Sequence, residues 1–213
     1  GCVLVRNSRK NLVTKIQEWD YFHGIAAIKR LQSLFQGTLV AQGAFSIYST
    51  DILREVGGWQ HVVGEDIVLT WAILEKDYRV GYAEDAILFT NAPDNWKQFF
   101  NQRRRWSRGL IEAFKSHWRM LFKPKMITLF IWWNLMFPWM DLVYTFVFIP
   151  GMIAAFFGFY LLAGPMTLIL LPMALVVNYI MFLIQSRMFK ARNLKVRKNP
   201  LGFIFYAFFY SII

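Results

Sequence analysis

Residues 127–162 are so predominantly apolar that they restrict the fold more than any other stretch of the chain. As a single helix, these thirty-six residues would extend roughly 54 Å, whereas the hydrocarbon core of a bilayer is about 30 Å thick. Pro150-Gly151 is the expected break, which leaves residues 127–149 as one membrane-length helix. Residues 165–185 form a second such run, and a third begins at Leu201 and continues through 213. Arg187, Lys190, Arg192, Lys195, Arg197 and Lys198 lie between the second and third runs with no acid among them. The excess of cations places that loop in the cytoplasm. Two crossings return the chain to its starting side, so the basic stretch before residue 126 is expected to be cytoplasmic too. Asn134 and Asp141 inside the first run are costly in lipid and are expected to face protein or water. Trp132, Trp133 and Trp139 suit either sugar stacking or the membrane interface.

Most charged residues precede Met126, so the chain divides into a polar part followed by a membrane-embedded part. The net charge of +11 is compatible with nucleic acid, an anionic membrane or an anionic substrate. Nucleic acid fits least, because the cations cluster beside the apolar runs and not on a separate soluble module. A single cysteine, Cys2, excludes a disulfide framework or a cysteine-rich zinc site within the chain. The chain opens at Gly1-Cys2-Val3 with neither initiator methionine nor signal peptide, and it stops inside an apolar run at Ile213. A piece of a longer protein is the expectation.

In the polar part, Asn11 is a plausible N-cap for a long amphipathic helix over residues 12–35. His23 within it has no second ligand at metal spacing. Residues 38–48 read as a strand interrupted at Gly43, where a bulge or a close backbone approach to a ligand is expected. Ser49 or Thr50 caps a short helix to Val56, and Gly57-Gly58 turns the chain. Glu65-Asp66 opens another helix with Ile67, Trp71 and Leu74 on its apolar face. Residues 79–82 and 86–90 read as two short strands, and Asn91 to Asp94 as a turn. Helices and strands mixed in this order indicate an α/β domain over residues 1–94. Residues 95–125 interleave aromatic side chains with nine Lys or Arg and suit amphipathic helices on a membrane surface. Residues 126–213 make up the transmembrane region.

Two features in the polar part carry chemistry. On a helix, Gln102, Arg105 and Trp106 stand at i, i+3 and i+4 and share a face. That face offers an amide for hydroxyls, a planar cation for phosphate oxygens and a flat ring for a sugar; it also suits a basic helix lying on anionic lipid. Asp66 enters a helix N-terminus, where the macrodipole favours its anion, while Glu65 beside it opposes ionisation. Such a carboxylate is able to accept a proton from an attacking hydroxyl, and equally to serve as a plain cap.

Taken together, Gly64-Glu65-Asp66, the Gln102–Arg105–Trp106 face and the apolar runs resemble the processive, membrane-embedded family 2 glycosyltransferases, which make cellulose, hyaluronan, chitin and poly-N-acetylglucosamine. Gly64-Glu65-Asp66 is similar to their (T/G)-(E/D)-D element, with glycine where many members have threonine. Gln102, Arg105 and Trp106 match their Q-x-x-R-W element in full. Gly43-Ala44-Phe45-Ser46 and Val56-Gly57-Gly58-Trp59 look like the stretch joining the donor half to the acceptor half.

The resemblance implies the C-terminal part of a GT-A-type domain, followed by interface helices and transmembrane helices. It implies Asp66 as general base, Glu65 as support for the Asp66 loop and Gln102 as a hydrogen-bonding partner near the acceptor. Arg105 would hold the diphosphate of a nucleotide-sugar, and Trp106 would stack beneath the acceptor sugar. Arg103 and Arg104 are expected to be structural or membrane-surface charges. The family also uses Mg²⁺ or Mn²⁺ on a D-x-D element that this sequence lacks. Those ligands are expected upstream of Gly1, and the chain by itself is expected to be inactive. Asn11-Leu12-Val13 through Glu18-Trp19, the Gly64-Glu65-Asp66 form and three C-terminal runs look most like bacterial poly-β-1,6-N-acetylglucosamine synthases. That likeness implies UDP-N-acetylglucosamine as donor, a growing biofilm exopolysaccharide as acceptor, membrane lipids as partners and the cell (inner) membrane as location. A non-processive relative acting on a lipid or short acceptor, or a non-catalytic basic membrane module, remains open at this point.

Overall fold

The computed structural model describes residues 1–35, 37–160, 164 and 169–209. It divides into two units, Gly1–Trp133 and Asn134–Ile213.

In the first unit, strand β1 (Cys2–Val5) is buried throughout and pairs in parallel with β2 (Ile87–Thr90), in register from Cys2↔Ile87 to Val5↔Thr90. Asn7 extends this pairing with its side chain, accepting from the Ala92 N–H at 2.9 Å and donating to the Ala92 carbonyl at 2.8 Å. Asn11 then caps α1 (Leu12–Trp19) in a reciprocal box with Thr14. The helix continues through a π-helical stretch, Asp20–Ala27, into α2 (Ile28–Leu34), as the helical spacing over 12–35 predicts.

Residues 38–48 do not form the expected strand. A single parallel bridge joins Gly37 to Val80, and the Thr38 N–H follows to the Val80 carbonyl at 2.8 Å. Beyond it, side chains take the backbone donors that a ladder would use. Leu39 N–H goes to Gln32, Ala41 N–H to Thr70 and Gly43 N–H to Asp66. The Leu39 and Ala41 amides are buried and need partners, and here polar side chains supply them in place of a neighbouring strand. For the same reason the strand expected over residues 79–82 reduces to the bridge at Val80.

Short helix α3 (Thr50–Glu55) ends at Gly57 and Gly58, both in the left-handed region (φ +83° and +74°). Helix α4 (Glu65–Glu75) then packs on α5 (Trp96–Ser116), whose N-cap Asn95 accepts from Gln98 N–H. Ile67, Val68, Trp71 and Leu74 of α4 meet Ala113 and, beyond a 3₁₀ turn at Trp118–Phe122, Met120, Ile127 and Ile131. Trp71 is wholly buried, with its ring edge-on to Phe114 at 5.0 Å. A second cluster, Val3, Val5, Tyr21 and Ala92, seals the strand pair against the π-helical stretch.

Helix α6 (Met126–Val143) leads into the second unit. The break expected at Pro150-Gly151 is absent: helix persists through a π-helical stretch at Tyr144–Phe148 into α7 (Ile149–Phe156). Ile149 N–H bonds back to Tyr144, five residues away. This wider turn just before Pro150 lets the chain pass a residue that has no N–H to give. Termination comes instead at Gly158 (φ +84°), where Phe159 N–H returns to the Ala154 carbonyl at 2.9 Å. Helix α8 (Leu170–Ala191) covers the second apolar run, and α9 (Pro200–Phe209) covers the third. Residues 165–168 and 210–213 of those expected runs lie outside the described residues. Met126–Phe156 and Pro172–Ala191 are long and apolar enough to cross a membrane by length and composition.

Candidate active site

The site is built around the first turn of α4. Its N-cap, Gly64, has no side chain, so the capping task passes to Asp66. Asp66 Oδ1 accepts from the Ile67 N–H at 2.8 Å, and Oδ2 from the Gly43 N–H at 3.3 Å. One turn later, Thr70 Oγ1 donates to the Asp66 carbonyl at 2.6 Å and accepts from the Ala41 N–H at 2.9 Å. Two backbone amides of the irregular 38–48 segment thus pin the acidic turn. The close approach expected at Gly43 is therefore to the carboxylate itself: a Cβ there would lie 3.7 Å from Asp66 Cβ and from Glu65 Oε1. Asp66 is half-buried and Glu65 is exposed.

Helix α5 closes on this turn at a glycine pair. A Cβ on Gly109 would lie 2.8 Å from Gly64 Cα, and a Cβ on Gly64 would run into Gly109 Cα. The glycine that replaces the resembled family's threonine therefore stands at the helix crossing. Glu112 fixes the contact by accepting from the Gly64 N–H at 3.0 Å. That bond, followed by Arg108 at 2.9 Å, holds the Glu112 carboxyl below the usual carboxylate range. Arg105 is one helical turn before Gly109 and two before Glu112, hence on the face that meets α4.

Gln102 and Trp106 continue the same face of α5 toward the π-helical stretch. The Trp106 ring is 6.4 Å from that of Tyr21, and Gln102 hydrogen-bonds to Tyr21. Burial pushes the Tyr21 hydroxyl pKa up. Trp106 keeps 41% of its surface exposed, so the indole is not sealed in a core. Arg103 is structural: it pairs with Asp20 at 2.7 Å, both side chains being largely buried. Its guanidinium also covers the rings of Trp106 at 4.3 Å and Phe99 at 4.8 Å. Arg104 is exposed and donates to Asn101 at 3.3 Å.

Two cavities flank these elements. Gln102 lines one of about 550 Å³ with Asn7, Asn91 and Gln98 beyond the carboxyl ends of the two strands. Another, of about 280 Å³, is lined by Lys29, Val40, Ala41, Gln42, Tyr48 and Tyr82 among others, beside the segment that pins Asp66.

Among the described residues no group of three or more His, Cys, Asp or Glu is placed to hold a metal. Both Asp66 oxygens are already engaged by amides. These residues do not make a site for the divalent cation that the resemblance implies.

Asp20, Thr70 and Gly109 take part in the site without having been singled out from the sequence. Only Gly109 left a signal, as a glycine inside a strong helical pattern, which usually marks a packing need.

Over 128 residues, 60% of this chain and 31% of the relative, the sequence is 30% identical to a poly-beta-1,6-N-acetyl-D-glucosamine synthase of Staphylococcus epidermidis. A synthase of the same name from Staphylococcus aureus (strain COL) is 28% identical over the same length. The alignment covers about a third of the curated relatives it matches. With the acidic turn docked on the Q-x-x-R-W helix, and with residues 1–188 matching its profile, the chain belongs to glycosyl transferase family group 2.

Proposed function

We propose that this chain is the acceptor-side part of an inverting glycosyltransferase that extends a β-linked polysaccharide at a membrane, with UDP-N-acetylglucosamine as donor. The relatives are synthases of poly-β-1,6-N-acetyl-D-glucosamine, and the same polymer is the product we assign. Asp66 accepts the proton of the acceptor hydroxyl as that oxygen attacks the sugar carbon and the nucleotide diphosphate departs. Arg105 holds the diphosphate with its two-pronged guanidinium. Trp106 stacks beneath the acceptor sugar, Gln102 bonds beside it, and Glu65 supports the Asp66 turn. The Mg²⁺ or Mn²⁺ usual in the family would neutralise the departing diphosphate, on ligands other than these. Residues 95–125 lie along the cytoplasmic face of the cell membrane, where their cations meet anionic lipid. Helices α6–α7 and α8 cross the bilayer, and α9 begins a third span.

One observation carries this reading: the crossing at Gly64 and Gly109, which brings the acidic turn of α4 onto the face of α5 that bears Arg105. The test is Asp66→Asn in the complete protein, with labelled donor and sizing of the product. Loss of sugar transfer at normal protein level is expected, since a general base contributes about 10²- to 10⁴-fold. Full polymer synthesis by Asp66→Asn would remove the base assignment. In an active wild type, release of single-sugar products would replace the polymerase by a non-processive transferase.

A further inference from the structure

Lys29 is a buried cation that the proposed reaction does not use. It lies in α2 with 9% of its surface exposed, and its Nζ donates to the Val40 carbonyl, not to a carboxylate. A buried ammonium without a carboxylate directly against it is costly to the fold. Burial accordingly draws its pKa from 10.5 down to about 7, with the field of Asp66 opposing the fall. Lys29 also lines the cavity of about 280 Å³ together with Val40, Ala41 and Gln42. Val40 begins the short stretch whose next amides reach Asp66: Ala41 N–H through Thr70, and Gly43 N–H directly. The charged and titratable groups around it are Asp66 from α4, and Tyr48, Arg79, Tyr82 and the Gly1 amino group along the same cavity.

We propose that Lys29 is a positioning residue for the base. Its ammonium, fixed beneath residues 40–43, holds the two amides that orient the Asp66 turn and places a positive charge on that side of the cleft. This rests on the assignment of Asp66 as the base. Stability alone would favour an apolar side chain at such a position, so a lysine there points to a use in the reaction. Because the ammonium is charged below about pH 7 and neutral above it, sugar transfer by the wild type should decline as pH rises through that value.

The experiment compares Lys29→Met, Lys29→Arg and Asp66→Asn in the complete purified protein, with UDP-N-acetylglucosamine as donor. Lys29→Met should lower kcat about 10- to 100-fold, a part of what a general base contributes, with donor KM within about twofold. Its melting temperature should stay level or rise, because an apolar chain replaces a buried charge. Lys29→Arg should keep kcat within about threefold and move the alkaline decline upward, since a guanidinium stays charged. Wild-type kcat in Lys29→Met, or a loss that merely tracks unfolded protein, would overturn the proposal. A rise in donor KM with kcat unchanged would overturn it as well. If Asp66→Asn is inactive while Lys29→Met is normal, only this inference falls. If Asp66→Asn is fully active, the base assignment falls and this inference goes with it.

Discussion

Gly109→Ala sets helix propensity against packing, and the structure says which should win. In an isolated helix the substitution would help by about 1 kcal/mol, because glycine is the poorer helix former. In the folded chain the new methyl would be 2.8 Å from Gly64 Cα and 3.4 Å from Gly64 N. Carbon atoms rest at roughly 3.5–4.0 Å, so the two backbones must part by about 0.7–1.2 Å. Overpacking of this kind costs about 1–3 kcal/mol, which leaves a net loss of about 0–2 kcal/mol after the propensity gain. Activity should suffer more. The displaced element carries Asp66, two residues beyond Gly64, and a misplacement of about 1 Å can cost roughly 10²-fold in rate. The assay is sugar transfer from labelled donor by the complete protein, alongside its melting curve. A near-normal melt with about a hundredfold lower kcat is the expected pair. Unchanged kcat with a higher melting temperature would refute the close crossing, because propensity alone would then have acted. Gly109→Ser adds a methylene and a hydroxyl at the same place and should fall at least as far.

Three further substitutions probe the elements around the site. Arg103→Ala leaves the buried Asp20 carboxylate without its partner and should destabilise the first unit by about 3 kcal/mol, read from thermal or denaturant unfolding; a cost near zero would mean the pair is solvated. Thr70→Val keeps shape but strands the buried Ala41 N–H, costing about 1–3 kcal/mol, and it should also lower kcat, whereas Thr70→Ser should restore both. His23 is buried and stacked on Trp19 at 5.0 Å, and burial holds its pKa down to about 4 against 6.5. Its folded pKa is below the unfolded value, so its neutral form stabilises fully above about pH 6.5 and loses up to about 3 kcal/mol as pH falls toward 4. Melting temperature against pH should lose that slope in His23→Phe.

The helices were readable because their determinants are local. Asn11 with Thr14 and Asn95 with Gln98 are short-range caps, and the apolar spacing of Ile67, Trp71 and Leu74 directly marks the buried face of α4. Residues 38–48 misled because their β-like composition is answered by partners distant in sequence. The Ala41 amide waits on Thr70, twenty-nine positions away, and Gly43 on Asp66, twenty-three away. No pattern within the segment reveals that the donors of a would-be strand will be met by side chains. Pro150 misled for the opposite reason: its local rule is sound, but the five-residue bond pattern just before it removes the conflict. The Arg103–Asp20 pair was hidden in a run of four cations whose members look alike until their neighbours are known.

That run decides a last prediction. Arg103 pairs with Asp20, Arg104 donates to Asn101, and Arg108 pairs with Glu112. Among the described residues Arg105 makes no such bond; it is exposed, on the face that meets the acidic turn of α4. A guanidinium that contributes nothing to the fold can be altered without loss of the fold. Arg105→Lys keeps the charge but replaces a planar fork by a point charge, which is a poor exchange when two phosphate oxygens are to be held at once. The melting temperature should therefore move by less than about 1 °C, because a change of about 1 kcal/mol is needed to shift a domain of this size by several degrees. Over the same substitution kcat/KM for the donor should fall about 10- to 100-fold, equivalent to about 1.4–2.7 kcal/mol of transition-state binding. Arg103→Lys should behave in the reverse sense, lowering the melting temperature and leaving kcat/KM of the folded protein nearly unchanged. If instead Arg105→Lys melts early and transfers sugar normally, its guanidinium belongs to the fold and another group must hold the diphosphate.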